Sequence, residues 1–398
     1  MSPSGSTYAR LSSFYFLYYG FLGAMMPYWS LYLQAVGLDA TAIGIVLAVM
    51  AAARVVAPNF WGWIADRSGR HLQVIRAGAL LAAASFAALP LGSGMAWIVA
   101  VVLLHSLFWN AILAQFEVIT LASLRNAAER YGLVRLWGSV SFIVAVVGCG
   151  LLFDRISVLQ LPWVLLGILL AIAAGAWLIR DPDSGLRARD AEGIGTRLRE
   201  PALAAFLLAA FLLQVSHAPY YGFFSLYLEQ YGYSRAATGQ IWALGVIAEI
   251  GVFAFAHRLL ARFSLRSILL ASLLLAALRW LMIGFGAGHA VVLLLAQCLH
   301  AASFGSFHAA GIELLRRYFA PAQQGRGQAL YAAVSFGAGG AVGALGSGVL
   351  WEIEPRSAYV VAALAAVAGW WIVLTMVRGP RVGTVRAGGE GGAEGGRA

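Results

Sequence analysis

Residues 41–64 read TAIGIVLAVMAAARVVAPNFWGWI, an apolar stretch interrupted by one ionisable group, Arg54. An α-helix needs about 20 such residues to cross a hydrocarbon layer about 30 Å thick. Equivalent stretches recur near 11–33, 72–92, 96–120, 134–153, 160–179, 202–228, 236–257, 267–286, 290–314, 327–350 and 357–377. The chain is therefore expected to cross a bilayer twelve times. The runs are continuous and rich in Leu, Ala, Val and Gly, whereas a transmembrane barrel needs short alternating segments. An all-α integral membrane fold follows.

Composition agrees. Of 398 residues, 61% are hydrophobic and 11% charged, with a mean hydropathy of +0.80. That leaves too little polar surface to coat a water-soluble globule. The net charge of +10 comes from arginine alone, because the chain has no lysine. Arg10, Arg67, Arg70, Arg76, Arg125, Arg130, Arg135, the run Arg180 to Arg199, Arg258, Arg262, Arg266, Arg316, Arg317, Arg326 and the tail after Arg378 fall on one side of a twelve-span chain. Only Arg155, Arg235 and Arg356 fall on the other. Positively charged loops stay inside, so both termini are expected in the cytoplasm, and the charge speaks for topology rather than for a nucleic-acid partner. Residues 1–33 read as a first span and not a cleaved signal, because the apolar run is long, contains Pro27 and has no small-residue cleavage site. Cys149 and Cys298 lie within spans and read as packing residues rather than a disulfide.

The chain repeats itself. Residues 30–44, SLYLQAVGLDATAIG, match 225–239, SLYLEQYGYSRAATG. In that register Arg54 falls opposite Glu249 and His105 opposite His300. One residue out of register, Leu136, Val140, Ser141 and Phe142 match Leu330, Val334, Ser335 and Phe336. The reading is two pseudo-symmetric six-helix bundles, 1–180 and 201–378. Between them lies a charged cytoplasmic linker, 181–200, and after them a Gly-rich disordered tail, 379–398.

Ionisable groups inside a span cost a few kcal/mol or more, so each needs a partner or a function. They are Arg54, Glu117, Glu249, Arg279, His105, His217, His300 and His308, accompanied by Asn110, Gln115, Gln214 and Gln297. Arg54, about 13 residues into its span, lies near mid-depth. It suits an anionic substrate group, or an ion pair with Glu117. Glu249 lies equally deep, where its neutral form is the cheaper one unless a cation is near; it suits a proton carrier, or a pair with Arg279. His217, Tyr220, Tyr221 and Phe224 share one helix face, which suits an aromatic or amphipathic ligand or plain packing. His300 and His308 are about 80° apart in helical phase, so one of them is expected to face a cavity, preferably His300, whose repeat mate is also histidine. Asn110 and Glu117 share a face. Glu313, with Arg316 and Arg317 following, reads as a surface pair. No nucleotide loop, metal-ligand helix or nucleophile elbow is present, and the Gly-rich run 337–348 reads as close helix packing. No cofactor, metal or enzymatic activity is expected.

After the second span comes Gly62-Trp63-Ile64-Ala65-Asp66-Arg67-Ser68-Gly69-Arg70. This resembles the Gly-x-x-x-Asp-Arg-x-Gly-Arg tract of the major facilitator superfamily, a cytoplasmic gating loop. Gly62 and Gly69 would permit tight turns, and Asp66 would pair across the interface between halves as a latch. The corresponding HRLLARFSLR after the eighth span lacks the Asp. The tracts Tyr131-Gly132-Leu133-Val134-Arg135-Leu136-Trp137-Gly138-Ser139, Gln214-Val215-Ser216-His217-Ala218-Pro219-Tyr220-Tyr221-Gly222-Phe223, Leu244-Gly245-Val246-Ile247-Ala248-Glu249 and Leu278-Arg279-Trp280, with His300 and His308, resemble the bacterial 3-phenylpropionate transporter family over about residues 10–377. That resemblance implies proton-coupled uptake of a small aromatic carboxylate across the bacterial inner membrane by a monomer, working on a small-molecule substrate and protons by alternating access. Spans one, four, seven and ten would line its cavity. A more distant similarity to galactoside–proton symporters implies a proton network of Glu249, Arg279 and His300, with His217 as a further relay; the acid expected three residues after His300 is absent, since Ser303 stands there. Arg54, Tyr220, Tyr221, Asn110, Glu117 and His308 would then bind substrate. Export of amphipathic compounds, symport of a sugar or nucleoside, and a membrane-embedded enzyme or sensor are the alternatives.

Overall fold

The computed structural model describes residues 5–124, 130–181, 199–320 and 323–377, and every regular element among them is helical. Most of the charged linker and the Gly-rich tail fall outside these residues. In chain order the helices are α1 Gly5–Met25, α2 Trp29–Ala35, α3 Ala40–Ser68, α4 His71–Phe86, α5 Met95–Trp109, α6 Ile112–Ser123, α7 Tyr131–Phe153 and α8 Leu161–Ala176. After the linker come α9 Pro201–Gln230, α10 Arg235–Arg262, α11 Leu265–Gly286, α12 Ala290–His300, α13 Ser306–Tyr318, α14 Gln324–Ala332, α15 Gly340–Ile353 and α16 Pro355–Met376. Wide π-type turns, Ala301–Gly305 and Ala333–Gly339, join α12 to α13 and α14 to α15.

Eleven continuous helical stretches among the described residues are long and apolar enough to cross a membrane, against the twelve expected. The difference lies in the first. Its helix, α1, has 21 residues, about 31 Å at 1.5 Å per residue, but Arg10, serines and four tyrosines dilute its apolar character. It also starts earlier than expected and stops at Met25, since Pro27 cannot continue the hydrogen-bond ladder; α2 resumes at Trp29. The fourth span is likewise two helices, α5 and α6, parted by a turn at Asn110 and Ala111.

The helices before the linker pack mainly among themselves, α1 on α7 and α8, and α4 on α5, α6 and α8. Those after it do the same, α9 and α11 on α16, and α10 and α11 on α12. The two groups meet along two seams, α3 against α15 and α7 against α10. Here the sequence repeat acquires its physical meaning. Gly37 and Gly232 occupy matched positions and both are left-handed (φ +92° and +79°), turning the chain into α3 and α10. Asp39 and Ser234, also matched, cap those helices, accepting from Ala42 N–H at 2.7 Å and Ala237 N–H at 3.1 Å.

Further first-turn N–H groups of these helices are satisfied from the opposite group. Asp154, at the end of α7, accepts from the N–H of Arg235 at 2.8 Å and of Ala236 at 3.1 Å. Glu352, at the end of α15, accepts from Ala40 N–H at 3.1 Å. Each carboxylate meets the favourable N-terminal dipole of the helix it caps, while standing at the unfavourable C-terminal end of its own. Beside them the backbones touch: a Cβ on Gly44 would lie 2.7 Å from Ala344 O and 3.0 Å from Gly348 Cα, and one on Gly239 would lie 2.6 Å from Val146 O. Tyr28, of the first group, donates to the same Val146 O at 2.6 Å, and its hydroxyl would lie 2.7 Å from a Cβ on Gly239. Along the α3 seam these contacts run down to Arg54 and Val55, against Gly337. Arg54 itself is exposed although it lies at mid-span, so a space opens between the groups at that level.

Gly44→Leu places a branched side chain against backbone that cannot yield, at a cost of about 1–3 kcal/mol. The expected outcome is an opened seam. Spin labels at Val36 and Ile353, on either side of it, should move apart by several ångström; an unchanged distance would show that the glycine contact does not hold this face shut.

Candidate functional site

The polar interior after the linker is built around Arg279 of α11. It is fully buried, with its guanidinium 4.1 Å over the ring of Tyr220 and 4.5 Å over that of Trp280. Its Nε donates to Ala296 O at 3.0 Å and its Nη2 to Gln297 Oε1 at 3.4 Å. The same Gln297 oxygen accepts from Tyr220 OH at 3.0 Å. Arg279 is thus held by rings and carbonyls, and not by the pair with Glu249 that is the alternative reading of that acid. The carboxylate of Glu249 instead lies 3.8 Å from His300 Nε2. Gly305 makes room for it: a Cβ there would come within 3.3 Å of Glu249 Cγ. At 3.8 Å the two groups are an ion-pair distance apart, beyond a direct hydrogen bond, which suits a proton passed through a water. Arg279 Nη1, Gln297 Nε2, His217 Nε2 and His300 Nδ1 are buried without a protein partner. Such atoms call for water or ligand.

His217 contributes from α9. Its Nδ1 pairs with Leu213 O at 2.8 Å, and its ring meets Trp280 edge-on at 4.8 Å. Of the predicted aromatic face, His217, Tyr220 and Phe224 are buried and only Tyr221 is partly open. Tyr220 therefore serves Arg279 and Gln297 rather than facing the space directly. The expectation that only one of His300 and His308 faces inward assumed a regular helix. The π-type turn between them changes the phase, and the rings of His300, Phe304 and His308 line up nearly parallel, at 5.4 Å and 5° and then 6.1 Å and 8°. His300 is buried and His308 partly open. His105, the repeat mate that favoured His300, does something else, with its Nδ1 meeting Ala82 O at 3.0 Å deep in the first group.

Across the space, the first group offers tyrosines and guanidinium groups. Arg54 lies within electrostatic reach of Tyr18 and Tyr221, and among the described residues no carboxylate stands within 4.0 Å of it. The pair with Glu117, one of the two readings of Arg54, is not formed. Glu117 instead stands close to Tyr131 and within electrostatic reach of Arg135. Arg135, expected to mark a cytoplasmic loop, turns inward from the first turn of α7. Its guanidinium covers the Tyr19 ring at 3.9 Å and its Nη2 donates to Tyr19 OH. Its charge reaches Glu249 and His308 on the other side of the space. The only sequence sign of this was its place just inside the fifth span. Asn110 spends its amide on Ser106 O at 2.7 Å, one turn back along its own helix.

The loop after α3 departs from its expected geometry. Gly62 lies within α3, not in a turn, while Gly69 is the left-handed C-cap (φ +66°). Asp66 faces His71 at 3.8 Å within the same group and is 57% exposed, so no latch to the other group is engaged here. Arg67 stacks over Trp63 at 5.6 Å, and Arg70 N–H donates to Ser68 Oγ at 3.3 Å. Cys149 is buried and Cys298 exposed, so only the first is a packing residue.

The profile of the MFS_1 like family matches residues 8–361. The "Probable 3-phenylpropionic acid transporter" of Escherichia coli (strain K12) is 32% identical over 371 residues, covering 88% of this chain and 93% of that protein. The maltose permease of Geobacillus stearothermophilus is 26% identical over 374 residues, covering 92% and 94%. Among solved structures, a mutant form of the nucleoside transporter NupG superposes with a TM-score of 0.85 at 17% identity, covering 94% of this chain and 100% of that one. That likeness carries the fold alone, and the named relatives are all transporters. With its helices in the major facilitator arrangement, this chain is a multi-pass membrane protein and a secondary transporter, and it belongs to the MFS_1 like family.

Proposed function

We propose that this chain imports a small aromatic monocarboxylate, such as 3-phenylpropionate, together with a proton. Residues 1–180 and 201–378 rock against each other about a site at mid-depth. Both termini lie in the cytoplasm of a bacterium and the protein sits in its inner membrane as a monomer. The observation that carries the substrate class is the unpaired charge of Arg54. Among the described residues of the interior, three guanidinium groups, Arg54, Arg135 and Arg279, stand against two carboxylates, Glu117 and Glu249, an excess of one positive charge. A cation inside a membrane span with no carboxylate beside it is costly, and a monoanion supplies the partner that Arg54 lacks. The name of the Escherichia coli relative supports an aryl acid in particular.

Proton coupling is assigned to Glu249, with His300 as its partner and His217, Gln297 and Arg279 as the surrounding relay. A monoanion entering with one proton leaves the net charge of the interior as it was in the empty, ionised carrier. The two states that reorient then carry equal charge, which makes tight symport economical. Tyr221 and His308, both partly open, line the space; Asp66, Arg67, Gly69 and Arg70 act at the gate in another state of the cycle.

Glu249→Gln should abolish accumulation against a gradient while leaving substrate exchange across the membrane. Retained gradient-driven accumulation in vesicles would remove Glu249 from the proton path. Labelled 3-phenylpropionate should enter cells expressing the protein and stop accumulating when an uncoupler is added, in preference to maltose and nucleosides; uptake of a sugar or nucleoside without any aromatic acid would overturn the substrate. Arg54→Gln and Arg135→Gln should each weaken apparent affinity about tenfold or more, a loss of about 1.4 kcal/mol per decade.

A further inference from the structure

We propose that Phe304 is the platform on which the substrate's aryl ring lies, so that one helix group supplies the cation and the other the ring. The proposal rests on the aryl-acid reading above. Phe304 stands in the π-type turn Ala301–Gly305, directly after the proton-handling His300. Its ring is gripped by others from three spans. His300 and His308 stack along its own helix, His217 approaches from α9 at 5.6 Å, and Tyr221 at 6.5 Å and 83°. Phe336, from the second π-type turn, completes the set at 6.1 Å and 64°.

All five neighbours lie within the centroid range at which aromatic rings attract one another. Phe304 is thereby fixed in place, yet it stays partly exposed while His217 and His300 are buried. A ring held rigid by its neighbours with part of its surface uncovered is a preorganised apolar contact, needing little ordering when a ligand arrives. It has no hydroxyl or amide to offer, which fits an aryl group better than a polyol. The cations stand on the far side: Tyr221 touches Phe304 and lies within reach of Arg54, and His308, next in the ladder, lies within reach of Arg135. A ligand with a ring at one end and a carboxylate at the other finds a partner for each in opposite groups. Ring contact on Phe304 also places it beside the Glu249–His300 pair, separated by a single helical turn.

The test compares competition by 3-phenylpropionate and by 3-cyclohexylpropionate, which keeps the length and charge without the π-system, against labelled 3-phenylpropionate uptake. The unmodified protein should prefer the phenyl acid by about threefold to tenfold, the range of an added aromatic pair. Phe304→Leu should bring that preference close to one, and Phe304→Tyr, which keeps the ring, should retain it. A preference unchanged in Phe304→Leu, or lost equally in Phe304→Tyr, overturns the platform while leaving the aryl-acid reading intact. Failure of the unmodified protein to take up either acid overturns the reading itself and the platform with it. If Phe304→Leu does not reach the membrane, Phe304→Ile provides the same comparison with another apolar side chain that has no π-system.

Discussion

A charged side chain surrounded by hydrocarbon has no water to turn to, so it must be satisfied by the protein or by a cavity the protein encloses. Much of the interior here answers that demand. Arg279 is wrapped in two rings, a backbone carbonyl and an amide. Arg135 rests on Tyr19. Glu249 approaches His300 through the gap left by Gly305. Arg54 alone among these is exposed without a carboxylate beside it, and the space between the helix groups begins at its level. Solvating these groups and enclosing a polar site for a solute are the same structural act.

The second demand concerns helix ends. The first N–H groups of α3 and α10 lack partners within their own helices. Glu352 and Asp154 supply them from the opposite group, and the glycine contacts bring the backbones close enough for this to happen. A cap is worth about 0.5–2 kcal/mol. Two such caps and a few tight contacts hold a face closed without making it permanent, as a carrier that exposes its site to alternate sides requires. The seams are unequal. Arg235 adds a guanidinium bond to Phe153 O at 3.0 Å across the α7–α10 side, while its pair with Glu229 at 2.8 Å stays within the second group.

The repeat and its asymmetries divide the work. Gly37 with Gly232, Gly44 with Gly239, and Asp39 with Ser234 are matched in sequence and do matched jobs in turns, seams and caps. Arg54 opposite Glu249, and His105 opposite His300, are matched in sequence and do different jobs. The scaffold follows the symmetry, and the chemistry lies where it is broken.

Span length and apolar composition alone established the membrane setting and the helical class, because the hydrocarbon thickness sets the number of residues needed to cross it. The repeat made the two groups legible, and depth along the spans singled out Arg54, Glu249, Arg279 and His300. Partners were not legible. Glu117 turned to Tyr131 and Arg135 rather than Arg54, Glu249 to His300 rather than Arg279, and Asp66 to His71 rather than across the groups. Counting charges by loop placed Arg135 at a surface, since such a count carries no information on which way a residue near a helix end points. Phase arithmetic parted His300 from His308, whereas a π-type turn, set by packing against neighbouring helices, brought both into line with Phe304. Hydrophobicity is a property of segments and can be read along the chain; the direction of a side chain depends on rotations and turns that only packing against the other helices decides.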